Sequence, residues 1–272
     1  MPRLITVWEG GFPFDLMVED AGAPTTLVSL HAALGSSGLQ PPVFTARAVL
    51  EGIGVNRIFV SDPGLYASPD LGLAWYLGTD SVDATAVLAE IIAQVQRKLG
   101  ARHLVFFGMS GGGFAALNLG HEFPGSLAVP VNPQTRILNY APVHWAAMAK
   151  SCLGAATNEE AAAVLEAHPR ADMRRLYPSS TIDNSVIYVQ NLQDAHVSSH
   201  MIPWLDSVGW PEEGTSVLMK DWGAGHRPPP GHELREMLSS VAQVDGDWGA
   251  LARIWGANPQ PTREWVRSVS GR

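Results

Sequence analysis

The chain of 272 residues carries 18 lysines and arginines against 26 aspartates and glutamates, a net charge of −8 that argues against nucleic acid as a partner. Hydrophobic residues make up 46% and charged residues 16%, the balance of a folded globular protein with a sizeable core. No apolar run of about 18 residues predicts a membrane span, the N-terminal segment has no sustained apolar leader, and the single Cys152 cannot close an internal disulfide, so a cytoplasmic location is expected.

At the N-terminus, LITVWE, the turn glycines Gly10 and Gly11, and FDLMVE read as a β-hairpin. Thr25 to Leu30 reads as a buried strand running into a Gly-, Ser- and Pro-rich loop from Gly35 to Pro42. NRIFVSDP is a further short strand, stopped by Pro63, and a long loop containing LGLAWYLGT follows it. In SVDATAVLAEIIAQVQRKLG, the residues Val87, Leu88, Ile91, Ile92, Val95 and Leu99 recur at helical spacing, and Gly100 ends the helix. HLVFFG is almost continuously apolar, as strands buried on both faces of a parallel sheet are; a helix from about Gly112 to Glu122 and the strand LAVPVN come next. From Pro133 to about Asn184 the alternation stops, and HWAAMAKSCLGA and NEEAAAVLEAH predict a helical insertion, 133–184, over the C-terminal edge of the sheet. SVIYVQN, HVSSHMIPWLDSVG, TSVLMK and GHELREMLSSVAQV then read as strand, helix, strand and helix. This rhythm predicts one α/β domain over 1–272, with a mainly parallel sheet covered by helices on both faces.

The stretch FFGMSGGGFAALNLG sets Ser110 among glycines at a strand-to-helix seam. A glycine inside a helix costs about 1 kcal/mol relative to alanine, so Gly111, Gly112 and Gly113 at a helix start need a physical reason. Gly108-Met-Ser110-Gly-Gly112 satisfies G-x-S-x-G in the setting that motif requires. A sharp turn pushes the serine out above the sheet and crowds the residues two before and two after it, where a Cβ would clash. The N–H of Gly111 then faces the place where a substrate oxyanion forms, and the helix dipole reinforces it. Gly111-Gly-Gly113-Phe-Ala-Ala116 also matches a dinucleotide fingerprint, but that reading wants an acid at the end of the next strand, where Asn132 stands. A phosphate-binding Walker loop is excluded by the missing Gly-Lys-Ser/Thr, and a purely structural glycine turn remains the plain alternative.

A serine needs a base, and the base needs an orienting acid; downstream of such an elbow they come in the order acid, then histidine. Asp194 lies just beyond the strand SVIYVQN, and His226 lies in a glycine-containing loop after the last strand. Asp221 follows that strand more closely and ranks behind Asp194. His196 and His200 have the i, i+4 spacing of metal ligands, but without an H-E-x-x-H glutamate they read as an ordinary helix face, and no metal is expected. A backbone N–H between His31 and Ala33, with His31 and Ala32 the leading candidates, is the expected second oxyanion donor; the His31 side chain reads equally well as a packed polar residue. Cys152 has no activating neighbour in sequence and reads as a small buried residue.

With the Ser110 elbow, Asp194, His226 and the strand–helix order in hand, the chain over about 1–245 resembles the α/β-hydrolase superfamily. The resemblance implies an α/β-hydrolase fold, a mainly parallel sheet of about eight strands, and an acyl-enzyme mechanism with water as the usual acceptor. Within the superfamily, GMSGGGFAAL, VNPQT and YVQNLQDAHV are similar to bacterial hydrolases related to an accessory Sec-system secretion protein and to enzymes of surface-glycan gene clusters. That closer likeness raises acetyl transfer to, or deacetylation of, glycans. HAALGSSG stands where lipases carry His-Gly-Gly-Gly, which leaves the second oxyanion donor open.

Trp75 and Tyr76 in LGLAWYLGT, and Tyr140, His144 and Trp145 in the insertion, are the expected walls of the pocket, with core packing as the alternative for each. In the tail, 246–272, Trp248, Leu251 and Trp255 share one helical face; docking on the parent domain is expected, with a dimer contact or a glycan platform as the alternative. The resulting expectation is a serine esterase without metal or organic cofactor, acting on a small-molecule or glycan acyl ester. An O-acetyltransferase with the same triad and a catalytically silent binding protein of the same fold are the rival readings.

Overall fold

The computed structural model describes residues 1–35, 37–177, 183–210 and 214–271. The expected hairpin is present as β1 (Arg3–Glu9) and β2 (Phe12–Glu19), antiparallel, with Glu9 opposite Phe12. β3 (Thr25–Leu30), β4 (Asn56–Val60), β5 (His103–Met109), β6 (Leu127–Val131), β7 (Ser185–Asn191) and β8 (Thr215–Lys220) follow the apolar runs of the sequence. Together they form one sheet in the order β1-β2-β4-β3-β5-β6-β7-β8, antiparallel as far as the β2–β4 pair and parallel from there on.

Strand side chains alternate between two apolar layers, as the pleat requires. Leu27, Phe59, Val105, Phe107, Val129 and Ile187 pack beneath α1 (Arg47–Leu50) and two later helices, α8 (Gly231–Ser240) and α9 (Trp248–Trp255). Val28, Ile58, Leu104 and Phe106 face the opposite layer, which is covered by α2 (Ala84–Leu99) and α3 (Gly111–His121). α2 begins where Asp83 accepts from Ala86 N at 3.1 Å and ends where Gly100 turns left-handed at φ 65. It buries Leu88, Ile91, Ile92 and Val95, each worth about 1.5–3 kcal/mol when fully removed from water.

The 133–184 segment contains a short 3-10 turn (Ile137–Asn139), α4 (Pro142–Cys152), α5 (Asn158–Ala167) and α6 (Met173–Leu176); positions 178–182 lie outside the described residues. Met148, Ala149, Cys152, Leu165 and Met173 bury against Leu73, Trp75, Phe114 and Leu117, so this segment shares the core of the sheet layer. Arg170 fastens it further, reaching Asp83 at 2.8 Å and Glu122 at 2.7 Å.

HVSSHMIPWLDSVG departs from the single expected helix. It opens with a π turn (Val197–Met201) before α7 (Ile202–Ser207). Pro203 has no N–H to continue the α ladder, and the His200 carbonyl is drawn outward to accept from Thr135 Oγ1 at 2.9 Å. α8 (Gly231–Ser240) and α9 (Trp248–Trp255) complete the lower layer. Trp248, Leu251 and Trp255 are buried there, with the Trp255 indole donating to Ser240 Oγ at 2.8 Å and the Trp248 indole to Gly125 O at 3.0 Å. The tail stripe is therefore docked on its own domain and forms no surface platform. Asn258 then pairs with Val217 at the β8 edge, and α10 (Arg263–Ser270) crosses to the other layer, where it buries Val266. Position 272 of the tail lies outside the described residues. Among the described residues, no helix is long and apolar enough to cross a membrane.

Candidate active site

β5 ends at Met109 and α3 starts at Gly111, so the whole reversal falls on Ser110, which adopts φ 54 and ψ −117. A non-glycine residue in such a region costs about 1–3 kcal/mol and is held there only by its surroundings. Here Ser110 N donates to Val131 O at 2.9 Å and Phe114 N to Ser110 O at 3.1 Å. The crowding expected around the serine is present. A Cβ on Gly108 would stand 2.1 Å from Gly112 O, and one on Gly112 would stand 2.3 Å from Leu30 O. These neighbours are backbone and cannot move aside as a side chain would. Gly111, as the first residue of α3, has an N–H with no intrahelical acceptor.

Asp194 and His226 come together across the ends of β7 and β8. His226 Nδ1 lies 2.6 Å from Asp194 Oδ2; the Asp194 side chain is 2% exposed and that of His226 40%. A carboxylate can only accept, so Nδ1 carries a proton, and in the neutral ring Nε2 keeps the lone pair. Burial works to raise the Asp194 carboxyl, but hydrogen bonds from His226 and from His196 N (2.9 Å) and the neighbouring imidazoles outweigh it, leaving the group below its ordinary range. Asp221 is turned elsewhere, accepting from Gly223 N at 2.8 Å and Gln193 Nε2 at 2.7 Å.

Two asparagines tie the histidine loop to the ends of β6 and β7. Asn191, at the end of β7, donates to Gly223 O at 2.8 Å and Gly225 O at 2.7 Å and accepts from Trp222 N at 3.0 Å. Asn132, directly after the β6 residue that receives Ser110 N, donates to Arg227 O at 2.7 Å and accepts from Asn191 N at 2.7 Å. Neither was singled out from the sequence as a site residue; VNPQT and the asparagine closing SVIYVQN were the signals available.

The loop after β3 differs from expectation. His31 N donates to the Tyr76 hydroxyl at 2.7 Å, so this amide is already engaged, whereas Ala32 lies one residue further along the loop. The His31 ring is packed and satisfied: Asp62 N donates to its Nε2 at 3.1 Å, which places the proton on Nδ1, 2.8 Å from Ala32 O. Burial holds this imidazole below its usual range. Ser36 of the same loop lies outside the described residues.

Trp75 and Tyr76, expected to line the pocket, are both fully buried, with φ 55 and 58. Asp62 stabilises their turn by accepting from Tyr76 N at 3.0 Å, and burial pushes the Asp62 carboxyl up to about 6 against the backbone N–H groups that favour its charge. The Trp75 indole donates to Gln134 Oε1 at 3.2 Å, and Gln134 Nε2 donates to Ser110 Oγ at 2.8 Å. Trp75 therefore lies behind the serine as a support.

Tyr140 is half-buried beside the site, edge-on to Trp75 at 6.2 Å and to His196 at 6.1 Å and stacked on His144 at 5.3 Å; Trp145 is half-buried on α4. His196 and His200 do not form a solvent-facing helix surface. The His196 ring lies 4.3 Å from that of His226, with Nδ1 3.1 Å from Asn132 O. His200 is fully buried, accepts from Thr135 N at 3.1 Å, and is pushed down to about 3 chiefly by burial. Asp194, His196 and His226 each offer one ligand atom within 4.8 Å of the others, the one grouping among the described residues with the donors for a metal ion. Cys152 is buried, with its thiol raised to about 12 by burial and the Asp62 charge, as a packing residue would be.

No family model and no curated protein matches the chain in sequence. Solved structures do match in shape. The capsule O-acetyltransferase of Neisseria meningitidis serogroup A superposes with a TM-score of 0.61 at 14% identity, covering 87% of this chain and 96% of its own. An S-formylglutathione hydrolase from Agrobacterium tumefaciens gives 0.57 at 14% identity, covering 91% and 95%. A chain of the Glycosylation Associate Protein complex from Streptococcus agalactiae gives 0.60 at 12% identity, covering 90% of this chain and 47% of that one. With the strand order, the elbow after β5 and these likenesses together, the chain has the α/β-hydrolase fold.

Proposed function

We propose that the protein is a serine hydrolase that cleaves a carboxylic ester through an acyl-enzyme. Two observations carry the reading: a strained, glycine-cradled Ser110 directly after β5, and a His226–Asp194 hydrogen bond between the segments that follow β8 and β7 of the same parallel sheet. Ser110 Oγ attacks the ester carbon and His226 Nε2 accepts its proton. The tetrahedral oxyanion is met by Gly111 N and by an amide of the β3 loop, for which Ala32 is favoured because His31 N is engaged. His226 returns the proton to the departing alcohol, and water, activated by the same imidazole, releases the acid. Asp194 holds the ring in the required tautomer and stabilises the imidazolium. Tyr140 and Trp145 are the proposed substrate-facing walls, and no metal or organic cofactor takes part.

Transfer of the acyl group to a sugar hydroxyl is the second reading, favoured by the likeness to a capsule O-acetyltransferase. It uses the same residues and differs only in the acceptor. The test combines an acyl-ester panel from acetyl to long chain, with and without acceptor sugars, and a fluorophosphonate probe. Ser110→Ala is expected to abolish turnover and labelling while the protein stays folded; labelling that persists on another serine overturns the assignment, and a wild type inert to both marks a silent binding protein.

A further inference from the structure

The β3-loop amide nearest the strand is spent on Tyr76, with His31 N donating to its hydroxyl at 2.7 Å. A buried side chain on the other side of the serine offers a donor of the same kind. Gln134 is fully buried and its Nε2 lies 2.8 Å from Ser110 Oγ. Which end of the carboxamide faces the serine is decided by Trp75. An indole N–H can only donate, and its partner, at 3.2 Å, is Gln134 Oε1. The amino end is therefore turned to Ser110. The carboxamide also flanks Gly111, its oxygen 3.6 Å from where a Cβ on that residue would stand.

We propose that Gln134 is a catalytic residue, a side-chain donor to the oxyanion that forms beside Gly111 N, aimed by the positioning residue Trp75. This role rests on the serine-hydrolase reading. As the Oγ–carbon bond forms and the Oγ proton passes to His226 Nε2, the carbonyl π pair moves onto the substrate oxygen. That oxygen lies two bonds beyond Ser110 Oγ, the atom that Gln134 Nε2 already touches. The amino group has two hydrogens, so one can follow the new charge, and no proton leaves Gln134. In the resting enzyme the same contact takes a lone pair of Oγ and leaves its O–H for the base. Because the fully buried Trp75 holds the carboxamide oxygen, the amino end is already aimed at the serine before the charge appears, and such preorganisation is the condition for a large effect.

The experiment measures kcat, KM and fluorophosphonate labelling rate for Gln134→Ala, the isosteric Gln134→Glu and Trp75→Phe, with Ser110→Ala as control and thermal unfolding as the check on folding. Both Gln134 variants are expected to lose about 10²–10³ in kcat, with KM little changed and labelling slowed in proportion. Trp75→Phe, which frees the carboxamide to turn its oxygen to the serine, is expected to lose less, again in kcat. Gln134 variants that match wild type in kcat beside a dead Ser110→Ala overturn this role alone, as does a loss confined to KM. Activity surviving in Ser110→Ala overturns the serine reading and this role with it. Should Trp75→Phe fail to fold, Gln134→Glu decides the question.

Discussion

The turn that carries Ser110 and the loop that carries His226 do the same job by opposite means. In the first, position is set by contact with the adjoining backbone: Gly108, Gly112 and the Leu30 carbonyl occupy space that no side chain could share. In the second, Gly225 has nothing within 4 Å of its missing Cβ, and the loop is held by hydrogen bonds from Asn191 and Asn132. Glycine is needed in the elbow for lack of room and in the loop for its dihedral angle, φ 85 at Gly225. In the proposed mechanism, a nucleophile fixed by sterics stays fixed whatever the rest of the site does, whereas a base fixed by remote amides moves with the strands that bear them.

The difference is largest when a methyl group is added to each. Gly112→Ala places a Cβ 2.3 Å from Leu30 O and 2.8 Å from His31 O, displacing the elbow and the loop after β3 together. Destabilisation beyond about 3 kcal/mol, at the upper end for overpacking, and loss of the proposed ester hydrolysis are expected. Gly225→Ala meets no atom and carries only the strain of positive φ, about 1–2 kcal/mol. Denaturant unfolding of the two variants makes the comparison; equal losses would mean the elbow is no more crowded than the loop.

Asn191→Ala attacks the loop from the other side. It leaves Trp222 N without its acceptor and removes the donors to Gly223 O and Gly225 O. An orphaned buried amide costs about 1–3 kcal/mol, and a misplacement of the base by about 1 Å costs on the order of 10²-fold in rate. The expected variant is folded, turns over about 10²-fold more slowly, and leaves the Ser110 elbow intact. A kcat unchanged at this position would mean that the loop positions His226 without Asn191.

This division also explains what could be read from the sequence. The elbow was legible because sterics act on residues two apart, and Gly108 and Gly112 record them locally. The strands were legible because burial on both faces leaves continuous apolar runs such as HLVFFG. Trp75 and Tyr76 read as pocket walls, with core packing as the alternative, because nothing local marks a left-handed aromatic pair; the turn is held by Asp62 and by Gln134, which is 59 positions away from Trp75. Asn191 and Asn132 escaped for the same reason, since an asparagine at a strand end looks like any turn residue until its partners are known. His200 read as part of a helix face, and its burial follows from Thr135, again remote in sequence.

A pH series tests how the segment after β6, which bears both Asn132 and Gln134, is anchored. His200 Nδ1 accepts from Thr135 N, and only a neutral ring can accept there. Burial is the main reason its ionisation is pushed down to about 3; the imidazoles of His196 and His226 and the charge of Arg174 act in the same direction, and Asp194 acts against them. An unfolded histidine titrates near 6.5. Between these limits the unfolded chain binds a proton that the folded chain refuses, so the stability due to this group is complete above about pH 6.5 and is lost as the pH falls, at up to about 1.4 kcal/mol per pH unit. Asp62, raised to about 6, runs the other way, becoming easier to accommodate as the pH falls. It is present in both proteins when wild type is compared with His200→Gln, so its contribution cancels. The penalty of His200→Gln is therefore expected to be greatest near pH 7 and to shrink steadily toward pH 4, read as the difference between two denaturation series. Curves that stay parallel over that range would mean that His200 titrates alike in the folded and unfolded chain, and that its acceptance from Thr135 N does not anchor the β6 segment.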